Sequence, residues 1–270
     1  MNSSVFKEKV VVITGASSGL GREMAIKLAE QGARLVLASR NEEKLKEVTQ
    51  ICLEKGSEAI YVVTDVSRET DCKNLIERAV EKFSGIDILI NNAGITMYSL
   101  FENVEDLSIF ERIIKVNYLG SVYCTYYALP YLKKARGRIV AISSLTGKAG
   151  VPTRTGYAAS KHAMVGFFDS LRIEVSDYGI SVTIIYPGFV ATNIRENALG
   201  KNGKPLGKSH IQEEKAMKVE KAVEQILRAI ARRKRELAMT FKGKAGPWLK
   251  LIAPSVVDRI AKKAIEKGKT

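Results

Sequence analysis

Lys9-Val-Val-Val-Ile-Thr14 runs without a break into Gly15-Ala-Ser-Ser-Gly-Leu-Gly21, and the fold is read outward from this stretch. An apolar run of this length suits a strand buried on both faces, as strands of parallel sheets are. Beyond the glycines, Leu20, Met24 and Leu28 recur at helical spacing towards Gln31, and Gly32 stands where a C′ glycine closes a helix. The unit is strand, glycine turn, helix. Arg34–Ala38, Ala59–Val63, Ile86–Ile90, Arg138–Ser143 and Ser181–Tyr186 read as further strands, and Glu236–Thr240 as a weaker seventh. Helix-length segments separate them; Asn41 with Glu42 and Glu43 supplies a capping residue and early carboxylates for the second. Repeated β-α units imply right-handed crossovers with helices on both sheet faces.

A turn that opens a helix directly after a strand presents free N–H groups and a positive dipole end, a cradle for a pyrophosphate. Glycine is needed there where a Cβ would block the phosphate or the helix-to-strand contact. At the end of the second strand an NAD site places a carboxylate on the ribose 2′-hydroxyl. Here Ser39-Arg40 stands instead, and a guanidinium attracts the 2′-phosphate that a carboxylate would repel, so NADP(H) is the expected cofactor. The predicted fold is therefore α/β: a single-domain Rossmann fold, a doubly wound parallel sheet of about seven strands.

Composition agrees with an ordinary soluble globular protein, 46% apolar and 27% charged over 270 residues. No apolar run approaches the ~20 residues of a membrane span. Met1 to Lys9 carries no signal-peptide pattern, and Cys52, Cys72 and Cys124 have no metal-ligand spacing. Reduced thiols in a cytoplasmic protein are the expectation, with no metal. His162 and His210 read as surface or loop histidines. The net charge of +14 is uneven: residues 201–270 carry 19 basic and 7 acidic side chains, hence +12 of the total.

Several further motifs occur in order: Asp65-Val66 after the third strand, Asn91-Asn-Ala93-Gly94 after the fourth, Val116-Asn117 in a helix, and Ser143-Ser144 after the fifth. Tyr157-x-x-x-Lys161 follows, then Pro187-Gly188, Val190 and Thr192. From about Val10 to Thr192 the chain resembles the short-chain dehydrogenase/reductase family. Gly32 to Arg40, Ala128 to Lys133, Ser143 to Lys148 and the extended tail are similar to its 11-beta-hydroxysteroid dehydrogenase type 1 group. The departures from that group are the absence of its N-terminal anchor segment and Ser18, where a basic residue often supplies NADP(H) a second contact.

The resemblance implies a catalytic tetrad of Asn117, Ser144, Tyr157 and Lys161. It implies cofactor contacts from Gly15, Ser17, Ser18, Gly19, Leu20, Gly21, Ser39, Arg40, Asp65, Val66, Asn91, Ala93, Gly94, Tyr157, Lys161, Pro187, Gly188, Val190 and Thr192. Ser144, thirteen positions before the tyrosine, takes the catalytic place over Ser143; it donates to the substrate oxygen, and Asn117 supports a water that replenishes the proton. Independently of the family, Tyr157 alone of ten tyrosines has a lysine four residues on, which puts phenol and ammonium on one helix face. A neighbouring ammonium favours phenolate, bringing a group of ordinary pKa near 10 towards neutral pH.

The family's variable substrate lid corresponds to about 190–218, within a catalytic domain 1–246, followed by a basic amphipathic extension 247–270. Gly200–Ser209 lacks periodicity and reads as a mobile loop. Leu145, Val151, Pro152 and Phe189 lie where the family builds its pocket, which points to a hydrophobic carbonyl or alcohol, lipid- or steroid-like; core packing is their rival explanation. In the tail a helix is expected after Pro254, with Ser255 as N-cap and Val257, Ile260, Ala261, Ala264 and Ile265 as one apolar stripe flanked by lysines. Either Trp248 with Leu249, Leu251 and Ile252, flanked by lysines, lies on an anionic membrane surface, or the stripe packs on a second subunit or covers the site; a homodimer or homotetramer is expected. No nucleic-acid module is present. Two other functions stay open: a 3-oxoacyl-carrier-protein reductase, whose acidic carrier suits the basic region, and a non-catalytic NADP(H)-binding sensor.

Overall fold

The computed structural model describes residues 5–192, 194, 196–207 and 216–266. Along them run β1 (Val10–Thr14), α1 (Gly19–Ala29), β2 (Arg34–Ser39), α2 (Glu42–Glu54), β3 (Ala59–Val63), α3 (Glu69–Phe83) and β4 (Ile88–Asn91). There follow α4 (Ser108–Ile114), α5 (Gly120–Ala135), β5 (Arg138–Ile142), α6 (Thr155–Glu174) and β6 (Ser181–Tyr186). The chain continues with α7 (Val219–Ala231), β7 (Glu236–Ala238), α8 (Phe241–Ile252) and α9 (Pro254–Glu266). The strands form one seven-stranded sheet in the order β3-β2-β1-β4-β5-β6-β7, with every neighbouring pair parallel.

Side-chain alternation builds the layers. Val11 and Ile13 of β1, with Leu35 and Leu37 of β2, point to one face and meet Met24 and Leu28 of α1, Leu45 and Val48 of α2, and Ile226 and Ile230 of α7. Their neighbours Val12, Val36 and Leu89 point to the other face, against Leu75 of α3, Leu132 of α5, and Met164 and Phe168 of α6. Both faces are thus buried, which is why the strands read as continuous apolar runs. Each fully buried side chain of this kind contributes about 1.5–3 kcal/mol against solvent exposure. The strand order reverses between β1 and β4, and the crevice at the carboxyl ends of these two strands is where such sheets hold ligands.

Element ends shift by a residue or two from the sequence expectation, because hydrogen bonding rather than hydropathy ends a strand. Ile86 and Asp87 precede β4, where the Asp87 carboxylate accepts from Lys9 Nζ (2.8 Å) and the Val10 amide (3.0 Å). Helix α1 ends early because the amides of Gly32 and Ala33 turn back to the carbonyls of Ala29 and Leu28. Val116 and Asn117 lie in a π-helical turn, Lys115–Leu119, that joins α4 to α5.

Two expectations need correction. Ser255 is not the N-cap of α9: Pro254 is its first helical residue, the position where a missing N–H costs nothing. Helix α8 runs through Gly246-Pro247. Residues 200–204 are not a loose loop: the amide of Gly200 donates to Lys204 O, and the Lys201 carbonyl accepts from Glu105 and Asp106. Met97 also bridges Leu199. Of the expected lid, residues 193, 195 and 208–215, including His210, lie outside the described residues. Its two ends meet, with Val190 bridging Met217. The stripe of α9 is likewise only partly turned inward, with Ile260 54% exposed; the side chains of Ala264 and Ile265 lie outside those described.

Candidate active site

The glycine turn opens the crevice. Gly15 has φ +66°, and a Cβ there would sit 2.8 Å from Ala93 Cα, so only glycine lets β1 and the segment after β4 approach so closely. A Cβ at Gly21 would run into the Gly15 carbonyl oxygen and stand 2.6 Å from Asn92 Nδ2. Thr14 Oγ1 accepts from the amides of Asn92 and Ala93, both at 3.0 Å, and Asn92 Nδ2 donates to the carbonyls of Thr14 (2.9 Å) and Gly15 (3.1 Å). The turn is thereby locked against the end of β4. Helix α1 starts behind it with no side-chain cap and no acidic residue in its first turn. Uncapped N–H groups with no local carboxylate fit a pyrophosphate.

A cleft of about 1110 Å³ spreads from this turn across the ends of β1, β4 and β5. It is lined by Gly15, Ser17, Ser18, Gly19, Leu20, Ser39, Arg40, Asp65, Val66, Ala93, Gly94, Ser144, Tyr157, Lys161, Pro187, Gly188, Val190 and Thr192. Those are all but three of the residues expected from sequence. Gly21 is buried in the contact with Gly15. Asn91 is buried on β4, where Nδ2 donates to Thr125 Oγ1 at 3.1 Å, so it supports the sheet behind the cleft. Asn117 is fully buried; its Oδ1 accepts from the Ile95 amide (2.8 Å) while Nδ2 donates to the Ile95 carbonyl and Ser160 Oγ (both 2.9 Å). Its amide group thus clamps the Gly94-Ile95 segment.

At the chemical end, α6 carries Tyr157 and Lys161 one turn apart. Lys161 Nζ donates to the Ile142 carbonyl at the end of β5 (2.8 Å) and lies 5.8 Å from the centre of the Tyr157 ring. Burial pulls the Lys161 ammonium down to about 8 from its usual 10.5. Burial likewise pushes the Tyr157 phenol above 10, against the smaller opposing effects of the Ser144 hydroxyl and the Arg154 charge. The expectation of a phenol made acidic by Lys161 is corrected for the protein alone: burial is the largest influence on the phenol and disfavours phenolate, while the Lys161 ammonium donates to a backbone carbonyl. Ser144, in the loop after β5, faces the phenol, and its Oγ accepts from the Thr146 amide (3.2 Å). Ser143 turns inward, with Oγ donating to the Lys161 carbonyl at 3.4 Å.

Leu145, Val151 and Phe189 border the cleft, whereas Pro152 does not. Sequence reasoning missed Lys44, Arg112, Lys115 and Arg154 on the cleft wall. Arg154 Nη1 donates to Thr96 Oγ1 at 2.9 Å, and its guanidinium lies 5.6 Å from the ring of Tyr98. Lys44 falls one turn beyond Arg40 at the start of α2, a spacing that was available to read. The three cysteines are buried and unpaired.

Residues 9–202 match the short chain dehydrogenase family. The chain is 36% identical over 266 residues to a dehydrogenase/reductase SDR family protein 7-like of Dictyostelium discoideum, covering 96% of this chain and 83% of the relative. It is 36% identical over 256 residues to 11-beta-hydroxysteroid dehydrogenase A of Sesamum indicum, covering 93% and 73%. Among solved structures, a short chain dehydrogenase/reductase from Burkholderia phymatum in complex with NAD superposes with a TM-score of 0.81 at 25% identity, over 93% of this chain and 95% of that one. An alcohol dehydrogenase from the archaeon Thermococcus sibiricus, complexed with 5-hydroxy-NADP, gives 0.73 at 28% identity over 85% and 94%.

Proposed function

The chain belongs to the short-chain dehydrogenase family of oxidoreductases, and from that premise we propose that it interconverts a carbonyl and a secondary alcohol on an apolar substrate, using NADP(H). The observation that carries the reading is the convergence of Ser144, Tyr157 and Lys161 on one cleft whose other end is the uncapped start of α1.

Gly15, Gly19 and the first amides of α1 would hold the pyrophosphate, and Arg40 with Lys44 the 2′-phosphate. A nicotinamide coenzyme held there supplies hydride to a carbonyl carbon or takes it from an alcohol. Ser144 orients the substrate oxygen by its hydroxyl, and Tyr157 passes its proton to that oxygen as negative charge develops. A phenol raised by burial stays protonated at neutral pH, the state a general acid needs. The Lys161 ammonium, beside the ring, stabilises the phenolate left behind. Leu145, Val151 and Phe189 support an apolar substrate body.

Arg112, Lys115 and Arg154 on the same wall favour a second reading, a substrate with an anionic handle such as a carrier-bound 3-oxoacyl thioester. A panel of apolar ketones, secondary alcohols and a 3-oxoacyl thioester, assayed with NADP(H) and NAD(H), tests both. Turnover of apolar ketones with NADPH is expected. Turnover of the thioester alone would replace the leading reading, and no turnover of any member would remove both.

A further inference from the structure

The tail ends the fold in a helical hairpin. Helices α8 and α9 meet at Ala253, whose amide donates to Leu249 O at 2.7 Å while its carbonyl accepts from Val256 and Val257. Lys250 Nζ donates to the Lys148 carbonyl at 3.5 Å, which ties the hairpin to the loop after β5. On α8, Trp248, Leu251 and Ile252 fall at i, i+3 and i+4, hence on one face, and they are 71%, 78% and 82% exposed. Val256 and Ile260 extend the exposed apolar set on α9. Large apolar side chains clustered in this way mark an interaction surface.

The surface is continuous with the substrate cleft. Ala261 of α9 lines the cleft wall, as do the exposed Phe189 and Ile194. Its charge selects the occupant. Residues 241–266 carry six basic and two acidic side chains, within a C-terminal region that holds +12 of the net +14. Pairing two copies through this face would bring like charges together. A bilayer with anionic headgroups compensates them, while aliphatic stems and a tryptophan sit in the interfacial layer. Among the described residues no helix is long and apolar enough to cross a membrane, so contact would be along the surface.

We propose that the α8–α9 hairpin docks on an anionic bilayer surface, with Trp248, Leu251 and Ile252 entering the interface and the cleft mouth held beside it. The value of that placement for catalysis rests on the function proposed above, but the docking itself does not. Trp248 is the single tryptophan of the chain, so its emission reports the contact directly.

The full chain is mixed with vesicles of phosphatidylcholine alone or with phosphatidylserine, and sedimentation and emission are read together. Expected is a blue shift with cosedimentation on phosphatidylserine vesicles, at least roughly tenfold stronger than on phosphatidylcholine alone and weakened by salt. The double variant Leu251→Glu/Ile252→Glu should lose both signals while keeping its melting temperature and any turnover of a water-soluble ketone. Wild-type protein left in the supernatant with unshifted emission would overturn the proposal. So would binding by the double variant equal to wild type. An emission shift that follows protein concentration without vesicles, with a dimer in sedimentation velocity, would assign the face to a second copy and overturn it as well. Vesicle binding is read without turnover, so an inactive ketone panel beside intact binding would count against the enzyme reading alone.

Discussion

Lys161 Nζ stands 5.8 Å from the centre of the Tyr157 ring, yet its hydrogen bond runs to the Ile142 carbonyl at 2.8 Å. The lysine is therefore anchored by the end of β5, with its ammonium near the phenol ring. In the proposed mechanism its protonation state would set activity, and its lowered titration makes it contribute to the pH dependence of stability.

The ammonium is held at about 8 against 10.5 in an unfolded chain. Activity that needs the charge should be level below about pH 8 and decline above it, and kcat/KM for ketone reduction against pH measures this in the free enzyme. A profile flat to pH 10 would contradict the role. The stability sign is opposite. Between about 8 and 10.5 the unfolded state binds the proton that the folded state has lost, so this group's contribution rises with pH across that window. Above 10 the raised Tyr157 phenol works the other way, because the folded state then keeps the proton longer. Melting temperature against pH should rise less across that window in Lys161→Met than in wild type.

The two adjacent serines should separate cleanly. Ser144→Ala should lower kcat for reduction by about 10²–10³-fold with the fold intact, the scale of losing one positioned donor. Ser143→Ala removes a buried hydroxyl on the Lys161 carbonyl and should act mainly on melting temperature. Comparable kcat losses in both variants would contradict the assignment.

Arg40→Asp replaces a cation at the end of β2 by a charge that repels a 2′-phosphate. The ratio of kcat/KM for NADPH over NADH should fall by about 10–100-fold, the worth of one charge-assisted contact. An unchanged ratio would refute the place given to Arg40. A ratio that shifts only when Lys44 is also replaced would transfer that place to Lys44, which shares the wall.

Asn117→Ala orphans the amide and carbonyl of Ile95 and frees Ser160. Chemical denaturation should show a loss of about 2–4 kcal/mol. Asn117→Asp keeps the acceptor for the Ile95 amide but sets a buried carboxylate oxygen against the Ile95 carbonyl, so it should recover none of it at neutral pH. A loss of turnover at unchanged stability would instead indicate a direct part in proton supply.

What could be read before the structure was local or arithmetically spaced. The run into Gly15 and Gly21, the Arg40 that replaces a carboxylate, and the Tyr157–Lys161 pair all depend on neighbours within a turn or a strand. Arg112, Lys115 and Arg154 could not be placed, because only the packing of α4 and α6 beside β4 brings those helix ends to one wall. The burial of Asn117, and of Tyr157 and Lys161 with the direction of their shifts, depends on tertiary packing that no local spacing reveals. Hydropathy identified the apolar side chains of the tail but not that Trp248, Leu251 and Ile252 remain outside.

The most direct measurement pairs NADPH affinity with single-turnover ketone reduction in Tyr157→Phe. Loss of the phenolic proton should leave the dissociation constant for NADPH within about twofold and lower the rate of reduction by about 10²–10⁴-fold, the scale of general acid catalysis. Reduction at the wild-type rate by a variant that binds NADPH normally would contradict the account.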